Sequence, residues 1–261
     1  MKETQIAAAS AVPEFNSLSF SDLKTALRLG WGDFRKAPQF GLFFGLFYTV
    51  GGLLMWWVTT QTGQSYWLGL AAFGFPLIGP FAAVGLYEVS HRLDNNDPLV
   101  WSEILGVINH QRNRQIPSIC VTIIMIFLFW FFIAHMIFAL FLGKMSMVNV
   151  SSSYDTYLTT EGLSMLAFGT VIGAVFAFVT FALMVFSIPM LLDRELDVIT
   201  AMITSFKQVT GNIVVMTGWG IILAIILFIG MFPYFFGLMV VLPLLGHASW
   251  HLYKIAITPS I

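Results

Sequence analysis

From Ile213 to Tyr253 the chain runs without a single Asp, Glu, Lys or Arg. A soluble fold would have to bury such a stretch, whereas a bilayer accepts it, and roughly 20 mostly apolar residues are enough for one helix to cross. The run is too long for one span and carries Met231-Phe-Pro-Tyr234 near its middle. Lipid-exposed irregular backbone leaves N–H and C=O groups without partners, so two helices joined by a very tight hairpin are expected. One span followed by a re-entrant piece is the alternative. Phe40–Thr60, Tyr66–Tyr87, Ser118–Leu142 and Leu163–Leu192 are the other candidate spans. Composition agrees: 10% of residues are charged, against about 25% in a soluble domain. The expected fold class is an all-α membrane protein with six transmembrane helices.

Charge places the ends. Lys2, Lys24, Arg28, Arg35 and Lys36 precede the first span. Arg92, Arg112 and Arg114 fall between the second and third, Arg194 and Lys207 between the fourth and fifth, and Lys254 follows the sixth. Only Lys144 falls on the opposite side, so the positive-inside rule puts both termini in the cytoplasm. The first apolar run begins only near Phe40, after Glu3, Glu14, Asp22 and Asp33, and is too long for a signal-peptide core. It is expected to remain in the mature protein. A net charge of −1 gives nucleic acid no electrostatic footprint. Cys120, the one cysteine, excludes an internal disulfide, a Cys-based zinc site and an iron–sulfur cluster.

The cytoplasmic segments carry helical periodicity. Phe20, Leu23, Leu27 and Trp31 recur near one face of 20–34; Trp101, Ile104, Leu105 and Ile108 do so in 99–108; Ile199, Met202, Phe206 and Val209 do so in 196–209. Each reads as an amphipathic helix lying in the membrane interface and feeding into a span. Residues 1–19 are expected to be a flexible cytoplasmic tail. Residues 20–255 then form one six-helix domain of three repeats, about 20–92, 93–194 and 195–255. Each repeat is an interfacial helix plus two spans. The second spans share a proline near their cytoplasmic exits, in Phe75-Pro-Leu-Ile-Gly-Pro80, Ile188-Pro-Met-Leu-Leu-Asp193 and Leu242-Pro-Leu-Leu-Gly-His247. Proline kinks a helix, so three kinked exits and a triangular bundle are expected. Gly41 and Gly45, and Gly169, Gly173 and Ala177, form small-residue faces for helix packing, within the chain or against another subunit.

Candidates for chemistry are few. No Asp, Glu, Lys or Arg lies in the middle of a span, which disfavours an ion-coupled carrier. His247 and His251 share a helical face, and two imidazoles at that spacing could bind zinc or copper or support a haem. A third ligand would come from Glu88, Asp193 or His91. The bland reading is an interfacial belt shared with Trp250 and Tyr253. His135, inside the third span, is either a haem ligand or a side chain bonded to a neighbouring helix. No cofactor is otherwise implied. Glu88, His91 and Arg92 leave the second span, while Asp193, Arg194 and Asp197 leave the fourth; they form a polar cluster where a partner could dock, or else a solvated face of salt bridges. The loop from Gly143 to Gly162, with Asp155 and Glu161, has the composition of an ordinary exposed loop. No nucleophile elbow, P-loop, dinucleotide fingerprint or zinc-protease motif appears, so no enzyme is expected.

The strings Pro189-Met-Leu-Leu-Asp-Arg-Glu-Leu-Asp197, Ala201-Met-Ile-Thr-Ser205, Leu242-Pro-Leu-Leu-Gly-His-Ala-Ser-Trp-His-Leu-Tyr253 and Phe75-Pro-Leu-Ile-Gly-Pro-Phe-Ala-Ala-Val-Gly-Leu-Tyr-Glu88 carry a family resemblance. Over roughly residues 20–255 the chain resembles a family of predicted bacterial integral membrane proteins of unassigned function. Some members are labelled cytochrome c oxidase subunits. The resemblance implies a bacterial inner membrane and a respiratory neighbourhood. A catalytic oxidase subunit needs several histidines inside spans, and here only His135 is so placed. Two functions are therefore carried forward. The first is a non-catalytic accessory, assembly or scaffold subunit of an inner-membrane complex, a respiratory one on the resemblance, with lipid and other membrane subunits as partners. The second is a carrier or channel for a neutral or hydrophobic solute, with Thr49, Thr170, Thr180 or Ser187 lining a cavity.

Overall fold

The computed structural model describes residues 11–63, 67–112, 114–143 and 154–257, with backbone alone at 67–77, 112 and 154. Residues 144–153 of the 143–162 loop, including Lys144, and the first ten residues of the expected tail lie outside the described residues. The helices are α1 (Phe20–Lys36), α2 (Pro38–Thr62), α3 (Trp67–Asn95), α4 (Trp101–Arg112), α5 (Ile116–Leu142), α6 (Thr160–Met184), α7 (Ser187–Asp193), α8 (Val198–Gly211), α9 (Ile213–Met231) and α10 (Leu238–Ala256). Four stretches among the described residues are long and apolar enough to cross a membrane: α2, α5, α6 continued through α7, and α9. The backbone divides into two units, Met1–Cys120 with Ala182–Ile261, and Val121–Phe181.

The first unit is built around α10. Pro243, Leu245, Ala248, Trp250, Leu252 and Tyr253 are all buried on it, and it packs against α1, α2, α3, α7 and α9. Small residues allow the approach. A Cβ on Gly30 would sit 2.5 Å from the backbone nitrogen of Ala248, and one on Gly45 would sit 2.7 Å from the Cα of Met239. At Gly41 it would meet the Phe34 ring at 2.7 Å and Pro243 at 2.9 Å. A second core joins Ala37, Phe40, Phe44, Leu86, Val89 and Ile104 from α2, α3, α4 and the α1–α2 link. The Phe40 and Trp101 rings there lie 4.1 Å apart.

The uncharged run from 213 to 253 divides into α9 and α10. Between them the turn places Tyr234 and Phe235 at positive φ, 48° and 65°, a region non-glycine residues rarely occupy. Packing holds it: Thr49 Oγ1 donates to the Phe235 carbonyl at 3.2 Å. Gly237 lies where a Cβ would touch the carbonyl oxygen of Gly230 at 2.5 Å, so the hairpin closes tightly.

The structure adds to or departs from the sequence expectations at three points in this unit. First, residues 11–19 are held rather than trailing as a flexible tail. Phe15 pairs with Ile257 in an antiparallel bridge, and the Asn16 N–H donates to the Ala256 carbonyl at 2.7 Å. The Leu18 N–H donates to Asn212 Oδ1 at 2.8 Å, and Gln208 Nε2 donates to the Asn16 carbonyl at 2.9 Å. Side chains of α8 and its cap, with the end of α10, thus satisfy the extended backbone. Second, the proline-marked exits differ. The helix breaks at residues 185 and 186, ahead of Pro189, but continues through Pro76, Pro80 and Pro243. Where it breaks, Ser205 of α8 fills in, donating to the Ala182 carbonyl at 2.7 Å and accepting from the Phe186 N–H at 3.1 Å. Ser205→Ala should leave that buried N–H unpaired and cost about 1–3 kcal/mol in a thermal or denaturant unfolding series. A variant as stable as the parent would remove Ser205 as the clamp. Third, the buried faces of the short helices are not the large apolar ones. On α1 they are Leu23, Ala26, Gly30, Asp33 and Phe34, and on α8 Ala201, Ser205, Gln208 and Val209. Phe20, Trp31, Ile199 and Phe206 are exposed. Close helix contact selects small residues inward, and large apolar side chains point out, as suits a lipid interface.

The second unit is the hairpin of α5 from Val121 and α6 as far as Phe181. Its core is small, with Ile137, Leu142 and Met165 buried under Trp130, Ile133, Phe141, Tyr157 and Ile172.

Candidate functional site

Four buried polar side chains converge between α1, α3 and α10. His251 Nε2 donates to Asp33 Oδ2 at 2.6 Å. Ser90 Oγ and His247 Nδ1 share a hydrogen bond of 2.8 Å. Both bonds cross long stretches of chain, and all four residues are at least nine-tenths buried. Burial works to raise the pKa of the Asp33 carboxyl, but the hydrogen bond and charge of His251 outweigh it. With smaller help from Ser90 and His247, they hold Asp33 below the ordinary aspartate value. The two bonded pairs, His247 with Ser90 and His251 with Asp33, thus meet on one helix, α10. His247 Nε2 is buried without a hydrogen-bond partner. A neutral imidazole with its proton on Nδ1 fits this, since Nδ1–H then donates to Ser90 and Nε2 presents only a lone pair.

The expected cytoplasmic polar cluster resolves into two knots flanking Trp250. In one, Arg92 Nε donates to Glu88 Oε1 at 2.6 Å, and His91 Nδ1 lies 3.7 Å from Glu88 Oε2. Arg92 also bonds the Pro98 carbonyl at 3.1 Å and pairs with Glu103, pinning α4 to the end of α3. In the other, Asp193 accepts from the Tyr253 hydroxyl at 2.7 Å and lies 3.5 Å from Lys254 Nζ and 3.6 Å from Arg194 Nε. Arg194 donates to the Ala11 carbonyl at 3.2 Å. Trp250 stacks between them, 5.4 Å from the His91 ring and 5.8 Å from Tyr253, and donates to Asp94 at 3.1 Å. Asp197 stands apart as the N-cap of α8, accepting from the Thr200 N–H at 2.9 Å. That bond holds its carboxyl below the ordinary value.

Residues 68–193 match the model of a family described as predicted integral membrane protein (DUF2189). This chain is an integral membrane protein. The match takes in α3 to α7, hence Ser90, the Glu88–Arg92–Glu103 knot and Asp193, and leaves Asp33, Arg194, His247, Trp250, His251, Tyr253 and Lys254 outside it. Its description carries no oxidase label. No curated protein and no solved structure matches the chain.

For this membrane protein the remaining candidates fall as follows. The metal reading of His247 and His251 needs a third ligand, and the structure does not supply it. Among the described residues no three His, Cys, Asp or Glu side chains are gathered to hold a metal ion. His251 faces Asp33 and His247 faces Ser90, while Glu88, His91 and Asp193 serve the knots around Trp250. His135 Nδ1 donates to its own helix at the Phe131 carbonyl, 2.8 Å away, and its ring lies 4.2 Å from Phe131. The hydroxyls assigned to a solute cavity also turn back on their helices. Thr49 donates to Gly45, Thr180 to Phe176 at 2.9 Å, and Ser187 to Leu183; Thr170 is exposed.

Of the small-residue faces, Gly41 and Gly45 sit against α10 as described above. On α6 a Cβ at Gly173 would meet Trp130 at 3.2 Å, Gly169 has nothing within 4 Å, and Ala177 is exposed. Asp33 and Ser90 were not singled out by sequence. The signal was present for Asp33, which follows Leu23, Ala26 and Gly30 at helical spacing on a face of small and apolar residues, where a lone carboxylate needs a partner.

Proposed function

We propose that this protein is a non-catalytic accessory or scaffold subunit of a larger bacterial inner-membrane assembly, with six spans and both ends in the cytoplasm. The spans are α2, α3, α5, α6, α9 and α10, with α1, α4 and α8 in the cytoplasmic interface. One observation carries the functional reading. The ionisable groups best placed for chemistry are engaged by other helices of the same chain: Asp33 by His251, Asp193 by Tyr253 and Lys254, Arg92 by Glu103. Such ties hold helices in register, which is what a scaffold requires.

The surface offered to a partner is α5. Met125, Phe129, Phe132, Met136 and Leu140 recur at helical spacing on one face, with Phe132 68% and Leu140 69% exposed. Lipid accepts this face, and so does a helix of a neighbouring subunit, for which aromatic anchors are favoured. The respiratory neighbourhood is supported by the family resemblance alone.

The test is purification in mild detergent at native expression level, with the intact assembly identified by mass spectrometry. Stoichiometric membrane subunits should accompany the chain, and the double variant F129A/F132A should release them. Interface hot spots are worth about 2 kcal/mol or more each, so the loss should be at least tenfold. A monomer or homo-oligomer without partners would overturn the reading, and transport assays would follow.

A further inference from the structure

We propose that the outer face of α1 is a binding surface for acidic phospholipid headgroups. Phe20, Lys24, Arg28, Trp31 and Arg35 recur at spacings of four, four, three and four, so they form one stripe along the helix. All five are exposed. The stripe cannot roll away from its environment, because the opposite side of α1 is fixed on α10 through Gly30, Asp33 and Phe34. The stripe thus has a set orientation with two chemistries, cations and aromatic rings, interleaved along it.

Neither carboxylate of α1 neutralises the stripe. Asp22 caps the N-terminus, accepting from the Ser19 N–H at 2.8 Å and hydroxyl at 2.7 Å. Asp33 is buried against His251. Lys24, Arg28 and Arg35, with Lys36 beside them, enter no ion pair among the described residues; Arg92, Arg114, Arg194 and Lys254 all do. Cations with no ion-pair partner among the described residues call for an external anion. The aromatic members set which kind. Trp31, stacked on Phe34 with ring centroids 5.5 Å apart, and Phe20 belong at the acyl–headgroup boundary, which puts the interleaved cations at the depth of the phosphates. An acidic protein would match the charge but gains nothing from that alternation. The inference rests on α1 lying in the membrane interface and is independent of whether the chain has a partner subunit.

The experiment is native mass spectrometry of the full chain, delipidated in detergent and offered equal phosphatidylglycerol and phosphatidylcholine of matched acyl chains. The parent should retain phosphatidylglycerol preferentially, and the preference should fall as salt is raised. The triple variant K24Q/R28Q/R35Q should lose it on the order of tenfold or more, given the usual contribution of each cation near an anionic surface. The charge-keeping variant K24R/R28K/R35K should retain it. If the triple variant fails to fold, the single variant R28Q and the salt series decide instead. An absent preference in the parent, one insensitive to salt, or one unchanged in the glutamine variants would overturn the proposal. So would an acidic protein that requires the stripe for co-purification while the lipids show no discrimination.

Discussion

Replacing Asp33 with alanine is expected to destabilise the protein by about 1–3 kcal/mol or more, the scale for leaving the partner of a buried, charge-assisted hydrogen bond unsatisfied. Both partners are buried, and the Asp33–His251 bond joins residues far apart in the chain. Asp33→Ala leaves His251 without its acceptor and Ser90 without the carboxylate it helps hold. The double variant D33L/H251L removes both polar partners together and should be less destabilised than either single change, because apolar groups of similar size replace a buried bonded pair at little cost. The sign with pH follows from Asp33 being held low. A carboxyl whose folded value is depressed contributes stability above its unfolded value, and loses it as pH falls through the folded one. The parent should therefore keep the contribution at neutral pH and lose it only in acid below the ordinary aspartate range. Asp33→Asn should show a smaller acid loss. Denaturant unfolding at several pH values reads all of this, and an Asp33→Ala variant within 1 kcal/mol of the parent would sink the assignment.

Gly30→Ala should be the other severe change. The added carbon would lie within 3 Å of the nitrogen, Cα and Cβ of Ala248, and two of those atoms are backbone, which cannot swing aside. Helix α1 would have to lift from α10, at a cost of about 1–3 kcal/mol or more for overpacking, with the Asp33–His251 bond strained as well. Gly32, two residues on, has nothing within 4 Å of its would-be Cβ. There alanine should be neutral or stabilising by about 0.5–1 kcal/mol, since a helical glycine is replaced without a clash. The pair of substitutions on one turn separates packing from propensity. Equal unfolding midpoints for the two variants would mean that the close approach does not limit stability.

What the sequence made legible follows from the range of the interactions involved. Apolar runs announce membrane helices locally, so α2, α5, α6 and α9 could be placed from hydropathy, and the Met231–Tyr234 turn from length alone. The break at residues 185 and 186 was announced only as a proline, and three prolines looked alike. What distinguishes Pro189 is Ser205 on another helix, ready to take the freed backbone groups. His247 and His251 were visible as a spaced pair, but their partners were not, because Asp33 and Ser90 reach them only through the packing of three helices. The same holds for residues 11–19, whose polar, proline-containing composition reads as a tail until Ile257 and Gln208 are seen against it. Which faces of α1 and α8 turn inward was illegible for a different reason. Periodicity finds the large apolar residues, and in a membrane protein those mark the side facing lipid as often as the side facing the core.

The position of α10 in the chain carries a consequence for biosynthesis. The helix on which α1, α2 and α3 close is made after them, so Asp33 and Gly30 wait without their mates while α2 to α9 are synthesised. During that interval the first helices depend on lipid or on insertion factors, and a nascent chain halted before Trp250 would present an unclosed groove and a stranded carboxylate. Synthesis of α10 is in this sense the event that closes the core of the first unit.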